Sequence, residues 1–236
     1  AQDLMIPLSM SWGIAVKTDM DQPVSDILRQ ASEAMQLNKL LAHRSWRYNL
    51  IRALNQILTE KSGETSSHVQ RMARIALRVG KMISLDKHEL DSLCLLAILH
   101  DIGKVIVPDN ILNKPGSLND AEWKQVRRHP EIGCRIISGI SELEPVALGI
   151  LNHHEHWNGR GYPQGLSGES IPLIARLVSI IDAYDAMTHD RPYHRAMTPQ
   201  EALTELKRCA GSQFDPDLIT KFIQSWHENP RDFSPV

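Results

Sequence analysis

Residues 95–104 read LLAILHDIGK, an apolar run followed at once by a histidine and an aspartate. The run predicts the buried last turns of a helix, and Asp86 with Glu89 three residues later predicts a capping box at its start. An imidazole and a carboxylate side by side at the end of a buried helix suit divalent metal ions. His100 and Asp101 are therefore the first candidates for a metal site.

Other side chains that can bind metal lie beside apolar residues elsewhere in the chain. Glu64 and His68 are four residues apart, so they share one face of a predicted helix. Asp182 follows an apolar run, where a carboxylate without a cation or metal partner is expensive. Each residue alone has an ordinary interpretation as a helix-end or core group, but together they predict a site for two or three ions. The candidate ligands are Glu64, His68, His100, Asp101, His129, His153, His154 and Asp182.

Composition indicates a soluble globular protein, with 42% hydrophobic and 23% charged residues. The formal net charge of −2 gives no basic field to attract a nucleic-acid polymer. Three scattered cysteines do not form a disulfide framework, and they fit a reducing cytoplasm. No apolar run is long enough to span a bilayer. The chain begins at Ala1 rather than Met, so an upstream membrane anchor stays open.

Helical periodicity dominates, so the predicted fold is all-α. The stretch 24–62 has neither Gly nor Pro inside it and carries apolar residues at helical spacing, which predicts one long helix or two helices sharing a bend. Capping-box patterns at Asn119 and Thr198 mark two further helix starts. One strand is predicted at 8–16, and the glycine-rich stretch 157–170 is predicted as a loop. The remaining helices are expected at about 65–83, 87–99, 171–187, 200–209 and 216–226.

Several long motifs resemble the HD-GYP subfamily of the HD superfamily of metal phosphohydrolases. They are LLAILHDIGK, HHEHWNGRGYPQGL at 153–166, DAYDAMT at 182–188 and RPY at 191–193, in the family's order. The resemblance covers about 64–226 and implies an HD-type helical bundle that hydrolyses cyclic di-GMP to linear pGpG and then GMP. It implies that all eight candidate ligands bind metal, usually iron or manganese. It also implies that a Glu at position 64 accompanies three ions rather than two.

The same resemblance assigns the contacts with substrate. Asp101 and Lys104 are the expected catalytic residues, and Lys104, Arg191 and Tyr162 are expected to bind the phosphates or guanine. The family has a second basic residue three positions after Arg191, where this sequence has His194. That departure predicts a weaker, pH-sensitive phosphate contact. Mixed imidazole and carboxylate ligands agree with iron, manganese or zinc better than with magnesium or calcium.

The first forty residues resemble the last strand and helix of a GGDEF (diguanylate cyclase) domain, through SMSWGIA at 9–15 and the helix that follows. The GGDEF signature is absent from the chain, so no cyclase activity is expected, and an ordinary strand–helix extension is the alternative. The expected organisation is a GGDEF-like fragment at 1–42, a helical connector at 43–62 and an HD-GYP domain at 63–236. A homodimer through the connector, and a GGDEF-domain partner or fused upstream domain, are the expected assemblies.

Two other functions stay open. The first is an HD phosphohydrolase for another nucleotide, such as cyclic GMP-AMP; the long motif at 153–166 argues against nucleoside triphosphate and guanosine tetraphosphate hydrolases. The second is a cyclic-dinucleotide-binding scaffold that signals through the long helix with weak or no catalysis. The presence of all eight candidate ligands argues against the scaffold. A substrate panel and a metal analysis distinguish these functions.

Overall fold

The computed structural model describes residues 12–17, 22–42, 53, 56, 61, 66–190 and 195–233. The chain divides into two compact units, Ala1–Leu54 and Asn55–Val236. Over the described residues the regular elements are all helical, which confirms the all-α prediction. None of the helices described is both long and apolar enough to cross a membrane.

The first unit contains helix α1 (Val24–Ala42). This helix matches the first half of the predicted helical stretch 24–62. Most of the predicted connector at 43–62 lies outside the described residues, and so does Glu64.

The strand predicted at 8–16 is wrong where the structure describes it, since residues 12–17 are irregular. A strand needs a neighbour for its backbone hydrogen bonds, and the described residues form no sheet that could supply one. The segment instead lies with Gly13 directly against α1. A Cβ at Gly13 would be 2.0 Å from the carbonyl oxygen of Ala31, so only glycine fits this approach.

The second unit is a bundle of helices joined by short turns. Its α-helices are α2 (Ser66–Met82), α3 (Lys87–Leu99), α4 (Asp109–Leu112), α5 (Asp120–Val126), α6 (His129–Ile137), α7 (Glu144–Asn152), α8 (Leu173–Thr188), α9 (Pro199–Arg208) and α10 (Pro216–Glu228). Short 3-10 turns lie at Ile102–Ile106, Ser141–Leu143, Gly168–Ser170 and Pro230–Phe233. The capping boxes predicted at Asp86, Asn119 and Thr198 are all formed.

Helix α3 lies at the centre of this bundle. Leu93, Leu96 and Leu99 are fully buried, and α2, α7 and α8 pack around the helix. Burial of its second half explains why the sequence from Leu93 to Leu99 is continuously apolar, whereas the first turn is polar and exposed. The chain therefore leaves α3 inside the bundle, and His100 and Asp101 are buried where it ends.

An aromatic cluster fixes α8 against α10. The rings of Tyr184, Phe222 and Phe233 lie with their centroids 5.3 to 5.8 Å apart. Trp226 Nε1 donates a hydrogen bond of 3.0 Å to the Tyr184 hydroxyl. Burial raises the pKa of Tyr184 to about 12, so its hydroxyl stays neutral. The cluster holds the half of α8 that carries the acidic residues of the site described below.

Gly103 lets the turn after α3 touch the start of α6. A Cβ at this position would lie 1.9 Å from the carbonyl oxygen of His129 and 2.7 Å from the backbone nitrogen of Gly133. Both neighbours are backbone atoms, which cannot rotate away as a side chain can. The contact therefore fixes the distance between the His100-Asp101 turn and His129.

We expect Gly103→Ala to lower the free energy of unfolding by about 1–3 kcal/mol, because the added methyl group forces backbone apart. Urea denaturation followed by circular dichroism measures the loss. Gly139→Ala is the matched control, since a Cβ there would meet nothing within 4 Å. Equal denaturation midpoints for the two variants would show that the close approach of Gly103 is not a constraint on the fold.

Candidate metal centre

Three histidines lie at the ends of three helices and are oriented by the same hydrogen bond. His100 follows α3, His129 begins α6 and His153 follows α7. In each, ring Nδ1 lies within hydrogen-bonding distance of the carbonyl oxygen three residues earlier. A carbonyl can only accept, so each Nδ1 carries the proton and each Nε2 keeps its lone pair. The distances are 3.1 Å from His100 to Ala97, 2.8 Å from His129 to Val126 and 2.7 Å from His153 to Ile150.

The three Nε2 atoms converge on one buried space. Nε2 of His129 lies 3.3 Å from Nε2 of His153 and 3.1 Å from Oδ1 of Asp101. Nε2 of His100 lies 3.3 Å from Oδ2 of Asp101. Burial and the neighbouring histidines hold the pKa of His153 well below its usual range, so this ring does not supply a proton. Two lone pairs so close together fit a shared cation.

Asp101 is a buried, ionised carboxylate. Burial works to raise its pKa, but the opposing effects, led by the charge of the Lys104 ammonium, hold the pKa well below its usual range. Oδ2 accepts a 2.5 Å hydrogen bond from Lys104 Nζ. Oδ1 is buried and accepts no hydrogen bond from the described residues. A buried carboxylate oxygen in this state is expensive unless a cation binds it.

Two groups of possible ligand atoms adjoin here, and we call them together the metal centre. Within each group the ligand atoms all lie within 4.8 Å of one another. The groups meet at His100, whose ring centroid is 6.1 Å from that of His68 and 5.3 Å from that of His153. The structure thus brings together seven predicted ligands, while Glu64 lies outside the described residues. The first group is Asp101, His129, His153 and His154, and the second is His68, His100 and Asp182.

Asp185 orients His68. Nδ1 of His68 donates to Asp185 Oδ2 at 2.7 Å, and Arg71 donates to both oxygens of the same carboxylate, at 2.7 and 3.0 Å. Burial works to raise the pKa of Asp185, but these hydrogen bonds outweigh it and hold the pKa well below its usual range. Because Nδ1 donates to Asp185, His68 would bind a metal through Nε2, the carboxylate–histidine arrangement common around metal sites.

The loop after His153-His154 is held by Glu155, a residue to which sequence reasoning gave no role. The Glu155 carboxylate is buried, and it accepts hydrogen bonds from the backbone N–H groups of Gln164 and Gly165 at 2.6 and 3.0 Å. The folded loop stacks the Tyr162 ring on His154, with centroids 4.9 Å apart. The only signal in the sequence was the position of Glu155 next to the histidine pair.

The predicted substrate contacts are described only in part. Lys104 is at the metal centre through its bond to Asp101, and Tyr162 is there through its stacking on His154. Burial, with Asp101 nearby, raises the pKa of Tyr162 to about 12, so its hydroxyl can donate a hydrogen bond at neutral pH. Arg191 and His194 lie outside the described residues.

Comparison with known proteins agrees with this geometry. Residues 52–218 match the family described as "HD domain". The chain belongs to the HD-domain family. This confirms the family predicted from the motifs. HD domains are metal-dependent, which agrees with the buried cluster of histidine and aspartate side chains. The GGDEF-like interpretation of 1–42 stays a prediction, because the family match begins at residue 52.

Some relatives of the HD domain are named for cyclic di-GMP and others for cyclic GMP-AMP. The cyclic di-GMP phosphodiesterase response regulator RpfG of Xanthomonas campestris is 35% identical, over 84% of this chain and 55% of the relative. The 3'3'-cGAMP-specific phosphodiesterase 2 of Vibrio cholerae is also 35% identical, over 81% of this chain and 37% of the relative. A cyclic di-GMP phosphodiesterase of Thermotoga maritima is 32% identical, over 75% of this chain and 49% of the relative. The chain thus spans about half or less of the length of these relatives.

Two solved structures share the fold of the HD domain. A cyclic GMP-AMP-specific phosphodiesterase of V. cholerae superposes with a TM-score of 0.62 at 24% identity, over 78% of this chain and 49% of that one. An HD-GYP-type protein of Bdellovibrio bacteriovorus gives 0.57 at 18% identity, over 88% of this chain and 74% of that one. At these identities the comparison supports the helical architecture alone.

We expect Asp185→Asn to weaken Mn²⁺ binding about ten- to a hundredfold, because the neutral amide no longer fixes the tautomer of His68. Titration calorimetry with Mn²⁺ on the metal-free protein measures the affinity. Asp217→Asn, which changes an exposed carboxylate in the first turn of α10, is the matched control. Wild-type affinity in a folded Asp185→Asn protein would contradict the orienting role.

Proposed function

We propose that this HD domain hydrolyses the phosphodiester bonds of cyclic di-GMP, giving linear pGpG and then GMP, with two or three divalent metal ions. The observation that carries the proposal is the metal centre: seven buried or half-buried imidazole and carboxylate groups in two adjoining sets. Relatives at 32–36% identity that are named cyclic di-GMP phosphodiesterases support the choice of substrate. The imidazole-rich donor set favours iron or manganese over magnesium or calcium.

The metal roles in this proposal follow the two groups of ligands. When bound, the ions supply Lewis-acid polarisation of the phosphodiester and activate water for in-line attack. The protein's own part is to fix the ligand directions through Nδ1 hydrogen bonds and to keep the site buried. Glu64 is the proposed additional ligand for a third ion, on the resemblance alone. The other proposed ligands are His68, His100, Asp101, His129, His153, His154 and Asp182.

The substrate roles fall to residues at the rim. Lys104, bound to Asp101 at 2.5 Å, is proposed to place its ammonium beside the reacting phosphate and offset its charge. Tyr162 offers a neutral hydroxyl next to His154. Arg191 and His194 are proposed as phosphate contacts from the sequence pattern alone. With His194 in place of a stronger base, that contact would weaken as the imidazole loses its proton.

The wider organisation is also part of the proposal. It consists of a GGDEF-like fragment at 1–42, a helical connector at 43–62 and the catalytic domain at 63–236. A homodimer through the connector and a GGDEF-domain partner or fused upstream domain are proposed on the same grounds. A cytoplasmic location fits the three free cysteines Cys94, Cys134 and Cys209.

Protein reconstituted anaerobically with Fe²⁺ or Mn²⁺ should convert cyclic di-GMP to pGpG and GMP, resolved by chromatography. Asp101→Asn should lose at least about a hundredfold in kcat/KM and most of its bound metal, because the buried ionised oxygen between the histidines is gone. Asp217→Asn should keep both. Absence of turnover in fully metal-loaded wild-type protein would refute the proposed phosphodiesterase activity and leave the cyclic-dinucleotide-binding scaffold as the function.

Cyclic GMP-AMP is the second candidate substrate, because relatives from V. cholerae that are 30–35% identical carry that specificity in their names. A panel of cyclic di-GMP, cyclic GMP-AMP and cyclic di-AMP at equal metal loading decides between them. We expect the highest kcat/KM with cyclic di-GMP. A higher kcat/KM with cyclic GMP-AMP would make that nucleotide the assigned substrate, and the proposed role of the metal centre would stand.

A further inference from the structure

Helix α5 has no buried residue, although it carries a tryptophan. Trp123 is 46% exposed, so it does not belong to the hydrophobic core. The helix is held instead by the capping box of Asn119 and Glu122 and by a 2.7 Å hydrogen bond from Lys114 to Glu122. These contacts are made at the start of α5, while its aromatic residue faces solvent.

The exposed face of α5 borders a cleft of about 370 Å³. Four of its lining residues recur at positions i, i+3, i+4 and i+7, so they share one side of the helix. The face combines an aromatic plane, a carboxylate and cations, and we call it the α5 face. Its residues are Asp120, Trp123, Lys124, Arg127 and Arg128.

The α5 face is connected to the metal centre by direct contacts. The Cζ atom of Arg127 lies 5.8 Å from the ring centroid of Trp123 and 5.4 Å from that of Tyr162. Tyr162 in turn stacks on His154, with centroids 4.9 Å apart. The aromatic and cationic groups therefore form a continuous row from the cleft to a proposed metal ligand.

The chemistry of the α5 face matches a guanine base. A purine can stack on the exposed Trp123 ring. Guanine presents two acceptors, O6 and N7, which suit the paired donors of Arg127. Its N1–H and N2–H groups can donate hydrogen bonds to a carboxylate such as that of Asp120. Adenine keeps the N7 acceptor but has an amino donor in place of O6 and an acceptor at N1, so it can offer each of these groups one hydrogen bond rather than two.

We propose that the α5 face binds one guanine base of the cyclic dinucleotide and so positions its phosphodiester at the metal centre. The proposal rests on the proposed function for the identity of the dinucleotide. Lys124 and Arg128 add positive charge at the cleft, where the substrate's phosphates would pass. Tyr162 contacts both Arg127 and His154, so the loop after His154 connects the proposed base site with the metal centre.

Steady-state kinetics with cyclic di-GMP test the stacking contact. Trp123→Ala should raise KM about tenfold while kcat and metal content stay near wild type, since stacking of one base on an aromatic ring is lost. Trp123→Phe keeps a ring and should recover most of that loss. Gln125→Ala is the control, because Gln125 is exposed on the same helix but does not line the cleft.

Base discrimination tests the polar contacts. Asp120→Asn and Arg127→Ala should each narrow the kcat/KM preference for cyclic di-GMP over cyclic di-AMP by about tenfold, because a bidentate contact to a base gives discrimination of that order. An unchanged preference in both variants would overturn the assignment of a guanine site. A wild-type KM for cyclic di-GMP in Trp123→Ala would overturn it as well, while the proposed hydrolysis would stand.

Equilibrium binding separates this inference from the proposed function. If the metal-loaded wild type does not hydrolyse cyclic di-GMP, titration calorimetry with the same nucleotide still tests the α5 face. Binding by the wild type that is weakened about tenfold in Trp123→Ala, and unchanged in Gln125→Ala, would support the guanine site without catalysis. Equal binding by wild type and Trp123→Ala, or no binding at all, would overturn it.

Discussion

The metal centre depends on one repeated hydrogen bond, from histidine Nδ1 to the carbonyl oxygen three residues earlier. His100, His129 and His153 each make it at a helix end. Each of these histidines follows a helix, α3, α5 or α7, and its ring bonds back to a carbonyl in the last turn of that preceding helix, so that Nε2 points away from it. Because three helices end at one buried place, three Nε2 lone pairs meet there. The packing of the bundle brings these helix ends together, and the buried end of α3 determines where they meet.

The same centre concentrates charge that an apolar bundle would not tolerate alone. Asp101 and Asp185 are both buried. Asp101 pairs with Lys104, and Asp185 pairs with Arg71 and accepts a hydrogen bond from His68. Breaking one partner of such a pair leaves a buried charge, which is strongly destabilising. The cations therefore belong to the fold as much as to the chemistry. Lys104 neutralises Asp101, and it is also the residue proposed to offset the charge of a substrate phosphate.

Much of this arrangement could be predicted from local sequence patterns. The apolar period predicted the helices, and capping boxes predicted their starts to the residue at Asp86 and Asn119. The pairing of Arg71 with Asp185 could not be predicted, since the two are 114 residues apart and no local pattern links them. The strand predicted at 8–16 is wrong where the structure describes it, because an apolar segment does not form a strand without a neighbouring strand to bond with. The role of Glu155 depends on loop geometry that periodicity does not encode.

In the proposed function, different parts of the HD domain bind the metal ions and select the substrate. The proposed ligands sit on helix ends and faces inside the bundle, where packing constrains every side chain. The groups that could contact a base, Trp123 and Arg127 among them, lie on exposed surface where substitution costs little stability. Relatives named for cyclic di-GMP and for cyclic GMP-AMP are equally similar to this chain, at 35% identity. Overall similarity to any one relative therefore does not separate the two substrates, and we propose that the exposed rim of the metal centre distinguishes them.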